Sequence, residues 1–205
     1  PRNNLREARL YADAGQRMAR FAYAFGVVSP RVVLSIRQQE MFWASSLAFG
    51  VARGHRLPRE RDLRHMARGR RGWREVIEDI ACAVESASPV AVMPYEVFGG
   101  RCAARLEVMT GQTTLPSAHA CEWRNKSPRL AQLRQVLRDR GIDPARLPKG
   151  EGRWMPFTNG QVAALQEAYQ DDLFWLTGGA DGLAQLTEET GSAEAGQTPH
   201  ADETT

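Results

Sequence analysis

The sequence predicts an α/β protein, rich in helix, in which a small parallel sheet is flanked by helices. Three observations carry this. Residues 32–36 (VVLSI) and 89–95 (PVAVMPY) are short apolar runs bounded by turn residues, the mark of buried strands. Segments of helical period stand before, between and after them. The first run also feeds directly into a helical pattern at Arg37, as a βα unit does.

Taken in order, residues 5–25 place Leu10, Ala14, Met18, Phe21 and Phe25 at spacings of three and four. One amphipathic helix is predicted, capped by Asn3 or Asn4 and ended by Gly26. Ser29-Pro30 supplies the turn into the first strand, and from Arg37 to Leu47 the residues Met41, Phe42, Ser45 and Leu47 recur on helix faces. Residues 53–74 hold nine arginines opposed only by Glu60 and Asp62; Pro58 starts a short helix there that Gly69 and Gly72 end. Residues 73–84 (WREVIEDIACAV) have a regular helical period. After the second strand a helix spans 96–109, weakened near its start by Gly99 and Gly100. Residues 110–126 have no period and read as loop. Ser127 caps, Pro128 opens and Gly141 stops a helix over 127–140. The turn-rich stretch 142–157 contains KGEGRW at 149–154, and residues 158–176 form the strongest amphipathic pattern, with Leu165, Tyr169, Leu173 and Leu176 on one side. From Glu188 the composition turns small, polar and acidic, which predicts a folded domain over 1–187 and a disordered tail over 188–205.

The 205 residues, 42% hydrophobic and 25% charged, suffice for a real core, and no apolar run reaches the roughly 18 residues of a membrane span. No basic-then-apolar leader is evident. Cys82, Cys102 and Cys121 are odd in number and lack CxxC spacing, which argues against a disulfide framework or zinc site and for a reducing, cytoplasmic setting. His55, His65, His119 and His200 form no metal-ligand spacing, so no metal is expected, and no nucleophile-elbow motif is present. The net charge of +3 understates the folded part, because Glu188, Glu189, Glu194, Asp202 and Glu203 all fall in the tail. Lys126 and Lys149 are the only lysines; the remaining positive charge is arginine, the better fork for phosphate and sulfate oxygens.

The junction at Arg37 favours an anion, because helix N–H groups and the positive end of the helix dipole converge where the strand ends. Ser45 follows eight positions later, which brings its hydroxyl back over the helix start where the Arg37 guanidinium lies. Ser46 would serve in a shifted register. In VVLSIRQQEMFWASS this spacing resembles the sulfotransferases that use 3′-phosphoadenosine 5′-phosphosulfate (PAPS), where an Arg at a strand end and a Ser eight positions on clamp the cofactor's 3′-phosphate. Trp154-Met155-Pro156-Phe157, followed by Tyr169, Asp171, Asp172, Leu173, Trp175 and Leu176, is similar to the ending of bacterial members.

The resemblance implies a P-loop nucleotide-kinase-like fold, PAPS as sulfuryl donor, and a hydroxyl or amine acceptor on a small molecule or an anionic polysaccharide. It implies Arg37 and Ser45 as cofactor-binding residues, with Lys149 and Arg153 of KGEGRW closing over the same phosphate. The family's other half, a first strand with a Gly-containing phosphosulfate loop, has no counterpart in residues 1–30, and no G-x-x-x-x-G-K-[ST] string precedes the first strand. No catalytic acid or base is assigned. The expectation is a sulfotransferase-like domain that is N-terminally truncated, either the C-terminal portion of a longer enzyme or a short form unable to perform the transfer alone.

Plainer readings of the same residues stand beside these. Arg37 alone is an exposed charge at a strand end, and KGEGRW is an ordinary turn. The basic stretch 53–74 is a solvated surface by default, or a docking face for an anionic partner. Nucleic acid is the weaker partner, since only Trp73 interleaves there. Phe42, Trp43, Phe174 and Trp175 read as core rather than as an adenine platform.

Overall fold

Three parallel strands organise the structure, a computed structural model that describes residues 2–26, 31–84, 88–112, 122 and 126–187. Strands β1 (Val33–Ile36), β2 (Val90–Pro94) and β3 (Ala184–Leu186) lie in the order β1-β2-β3. Ile36 pairs with Pro94, and Val90 with Ala184. The central strand is buried from Val90 to Met93, which accounts for its unbroken apolar run. Strand β3 was not foreseen, because the three residues AQL present neither an apolar run nor an alternation.

The helices are α1 (Arg2–Glu7), α2 (Ala14–Phe25), α3 (Gln39–Ala52), α4 (Glu60–Ala67), α5 (Trp73–Val84), α6 (Tyr95–Phe98), α7 (Cys102–Thr110), α8 (Leu130–Asp139) and α9 (Asn159–Thr177). The single helix predicted over 5–25 is two. Ala8 and Tyr11 take positive φ of 49° and 42°, and the carbonyls of Leu10 and Tyr11 accept from Nε and Nη2 of Arg71 at 2.6 and 3.2 Å. Leu10 thereby enters the core, while Phe21 and Phe25 of α2 stay exposed, against the predicted face. Gly26 ends α2 with φ 61° as expected. The helix predicted over 96–109 divides at Gly99 and Gly100 into α6 and α7. Helix α8 starts at Leu130, its first turn closed by Gln132 Oε1 accepting from Arg129 N at 2.9 Å, so Ser127 is not its cap. Helix α9 opens on a capping box, with Thr158 Oγ1 accepting from Gln161 N at 3.3 Å and Gln161 Oε1 from Thr158 N at 3.0 Å.

One core joins Ile36 and Val92 of the sheet to Trp43 and Val51 of α3, Trp73 and Ile77 of α5, Leu133 and Leu137 of α8, and Leu165 and Leu176 of α9. Trp43 is core, as read; Phe42 is half-buried and packs edge-on against Trp73 at 5.9 Å. Phe174 is 83% exposed, contrary to its core reading, and Trp175 is half-buried beneath the Arg74 guanidinium at 5.0 Å. Among the described residues no helix is long and apolar enough to cross a membrane. The predicted Ser29-Pro30 turn, most of the loop over 110–126, the tail 188–205, and Cys121, His119 and His200 lie outside the described residues.

Candidate anion-binding site

Because Ile36 is in register with Pro94, the next residues, Arg37 and Tyr95, leave the carboxyl edge of the sheet side by side. Open parallel sheets bind ligands at this edge. The Arg37 guanidinium carbon lies 4.5 Å from the centroid of the Tyr95 ring, a cation–π contact that fixes its plane. The chain is held there by its backbone, since the Arg37 carbonyl accepts from Trp73 Nε1 at 2.7 Å. Gln38 N donates to Glu96 Oε1 at 3.0 Å, and Tyr169 Oη donates to Glu96 Oε2 at 3.1 Å. Glu96 thus ties the start of α3 to α9. Burial, followed by the negative charge of Glu96, pushes the Tyr169 phenol well above its usual range and keeps it a neutral donor.

Met41 and Ser45, spaced by four, share one stripe of α3, and Arg37 lies just before that helix, ahead of its N-cap Gln38. The stretch that ends in Arg153 crosses this stripe. Arg153 forms an isolated antiparallel bridge with Arg129, Leu130 N donates to Gly152 O at 3.0 Å, and Arg153 Nη1 reaches to 3.6 Å from Met41 Sδ. One turn further on, the hydroxyls of Ser45 and Ser127 are hydrogen-bonded to each other. Arg37 before α3, Arg153 over Met41 and the Ser45–Ser127 pair one turn on thus follow the start of this helix in order, a strip with two guanidiniums and two hydroxyls along the chain.

The electrostatics of that strip are unbalanced. Burial first, and the like charge of Arg153 second, lower the Arg37 pKa below its ordinary value, against weaker opposing effects of Tyr95, Glu96 and Glu40. Arginine remains charged under such a shift. Arg37 Nε is buried and has no hydrogen-bond partner. Among the described residues no carboxylate comes within ion-pairing distance of Arg37 or Arg153. A multivalent oxyanion would relieve the repulsion and accept from the orphaned donor.

Behind the strip stand two buried carboxylates. Glu40, 2% exposed, accepts from Gln166 Nε2 at 3.2 Å through Oε1, while its Oε2 has no partner. Asp172 of α9 takes the N–H groups of Trp73 and Arg74 at 2.8 and 3.1 Å and Gln39 Nε2 at 3.2 Å. It caps α5 from another part of the chain and anchors the first turn of α3. Burial pushes its carboxyl above the ordinary range, against the pull of those hydrogen bonds. A Cβ at residue 72 would lie 2.8 Å from both Asp172 oxygens, so the tie requires Gly72.

Of the residues singled out from sequence, Arg37 lies just before α3, Ser45 sits on α3 bonded to Ser127, and Arg153 lies against Met41, between the two in sequence. Lys149 does not join them: it borders a shallow depression with Arg134 and Arg138, and Arg134 holds that loop by donating to the carbonyls of Pro148, at 2.6 Å, and Gly150. The sequence reading missed Tyr95, Glu96 and Ser127. The position of Tyr95 directly after a buried strand was the available signal, whereas Ser127 resembled a helix cap. Five arginines of the basic stretch form ion pairs, Arg56 and Arg61 with Asp62, Arg64 with Glu60, Arg71 with Asp79 and Arg74 with Glu78, and of these Arg71 alone is largely buried. Among the described residues no cluster of His, Cys, Asp and Glu could hold a metal ion. No protein-family model, curated protein or solved structure matches the chain.

Proposed function

We propose that this sheet edge binds the 3′-phosphate of a 3′-phosphoadenosine nucleotide, within a sulfotransferase-like domain of the P-loop class whose donor is PAPS. The supporting observation is the Arg37 guanidinium, whose buried Nε has no partner, within electrostatic reach of a second guanidinium, that of Arg153, which lies against Met41 in the first turn of α3. A phosphate dianion fits this donor set better than a carboxylate, because it offers more acceptor oxygens and more charge.

Arg37, its plane set by Tyr95, would take one side of the phosphate and Arg153 the other. The Ser45 and Ser127 hydroxyls would exchange their mutual bond for phosphate oxygens. Lys149 adds only long-range positive charge. PAPS, when bound, supplies an activated sulfuryl group for a hydroxyl or amine of a small molecule or anionic polysaccharide. This chain's own contribution is to grip and orient the nucleotide through its 3′ end. The described residues include no glycine-rich loop at the amino end of a helix that would cradle the 5′-phosphosulfate, so the reading for this chain is a 3′-phosphate half-site with no catalytic acid or base assigned. That same feature favours one other reading, a non-catalytic anion- or partner-binding domain using the same strip.

Arg37→Gln and Arg153→Gln test the assignment. Loss of a charged hydrogen bond costs about 1.5–3 kcal/mol, so each should weaken binding of 3′-phosphoadenosine 5′-phosphate by about tenfold or more. Adenosine 5′-phosphate should be insensitive to both changes. Unchanged binding in both variants would refute the proposal.

A further inference from the structure

At the other end of α3, a cavity of about 800 Å³ opens between α1, α3 and α4. That is within the size range of pockets that hold small molecules. Its floor is apolar, formed by Leu5, Leu47, Pro58 and Met66. Its rim is basic and rich in donors, with Arg56, Arg61, His55 and His65. The acid on this rim, Asp62, is already committed: it accepts from Arg59 N at 2.9 Å and Arg56 Nη1 at 2.8 Å, with Arg61 Nε 3.7 Å from its other oxygen, and the backbone bond foremost holds its carboxyl below the ordinary range. Two arginines against one engaged aspartate leave the rim positive.

The walls are set by the fold. Arg140, directly after α8, donates to the carbonyls of Val51, Gly54 and His55 at 3.3, 2.9 and 3.1 Å, which closes the end of α3 and fixes the loop that carries His55. Gly50 lets the two sides approach, since a Cβ there would meet Leu5 Cδ1 at 3.3 Å and His55 Nδ1 at 3.4 Å. Leu47 and Gly50 are ten to thirteen residues along from Arg37, about 15–20 Å at the helical rise, and Leu47 stands about 200° around α3 from Ser45. The cavity therefore opens on another face of the helix than the phosphate strip.

We propose that this cavity is a binding site for an amphipathic monoanion, an alkyl chain ending in a carboxylate. The chain would lie on Leu5, Leu47 and Met66, and the head group on Arg61 and His65. A wholly polar anion would leave the floor unused, and a neutral lipid would leave the positive rim uncompensated.

Calorimetric titration of the full chain with decanoate, octanoate and decanol, each below its aggregation concentration, tests this. Decanoate should bind saturably at one site, and about fourfold more tightly per added CH2 than octanoate. Decanol should bind at least tenfold more weakly. Arg61→Glu combined with His65→Ala should lower decanoate affinity at least tenfold with an unchanged thermal melt, because both side chains are exposed. Arg37→Gln should leave decanoate binding unaltered, which separates this site from the nucleotide reading. Absence of saturable binding, equal affinity for decanol, or an undiminished affinity in the double variant would overturn the proposal.

Discussion

Asp172 is the most exposing place to perturb this fold, because one carboxylate joins three elements. Asp172→Ala removes the acceptor of two α5 N–H groups and of the Gln39 amide, in a site only 6% exposed. A lost helix cap costs about 1 kcal/mol, and buried donors left without partners cost about 1–3 kcal/mol, for an expected total of about 3–4 kcal/mol. With a urea slope of about 2 kcal/mol/M, the unfolding midpoint should fall by about 1.5–2 M. Asp172→Asn keeps one acceptor oxygen and should lose about half as much. The pH dependence has a definite sign. Since burial raises the folded-state pKa of Asp172, its protonated form is favoured in the fold. The stability so gained is complete below the unfolded value of about 4 and is lost as pH rises through the folded value. Asparagine does not titrate, so the deficit of Asp172→Asn against wild type should be largest near pH 4 and shrink toward neutrality. Gly72→Ala, whose new Cβ would crowd the same carboxylate at 2.8 Å, should destabilise less in the Asp172→Ala background than in wild type. Equal losses for alanine and asparagine at every pH, with additive Gly72→Ala, would refute the tie.

Two further substitutions probe the supports of the site. Tyr169→Phe removes the buried hydroxyl that donates to Glu96 and should cost about 1 kcal/mol in chemical denaturation, with no change in fold by circular dichroism. Arg71→Ala frees the Leu10 and Tyr11 carbonyls and removes the partner of Asp79; hydrogen exchange should then accelerate over α1 and the turn that follows it, with a global loss of about 2–3 kcal/mol.

The strands β1 and β2 and the helices α5 and α9 were legible because pattern and local chemistry agree there: β2 is a continuous apolar run, and the helical period over 158–176 coincides with a helix that Thr158 and Gln161 close. The N-terminal helix was misread for a tertiary reason. Nothing local breaks the chain at Ala8 and Tyr11; the guanidinium of Arg71, sixty residues away, accommodates the freed carbonyls and lets Leu10 turn inward. Strand β3 escaped because its three residues acquire strand geometry only by pairing with β2. At the site, Arg37 and Ser45 were singled out from a spacing of eight across the strand–helix junction, and Arg153 from a short basic string. Tyr95, Glu96 and Ser127 reach the strip through sheet register and cross-chain hydrogen bonds, which a linear pattern does not encode. Lys149 shows the converse limit, since four residues from Arg153 the loop directs it to another face.

The central claim is that this edge reads a 3′-phosphate, and calorimetric titration of the unmodified chain with 3′-phosphoadenosine 5′-phosphate against adenosine 5′-phosphate tests it most directly. Two guanidiniums engaging one phosphate at about 1.5–3 kcal/mol per charged hydrogen bond predict a preference of at least a hundredfold for the 3′-phosphorylated nucleotide. Equal affinity for the two nucleotides would contradict it.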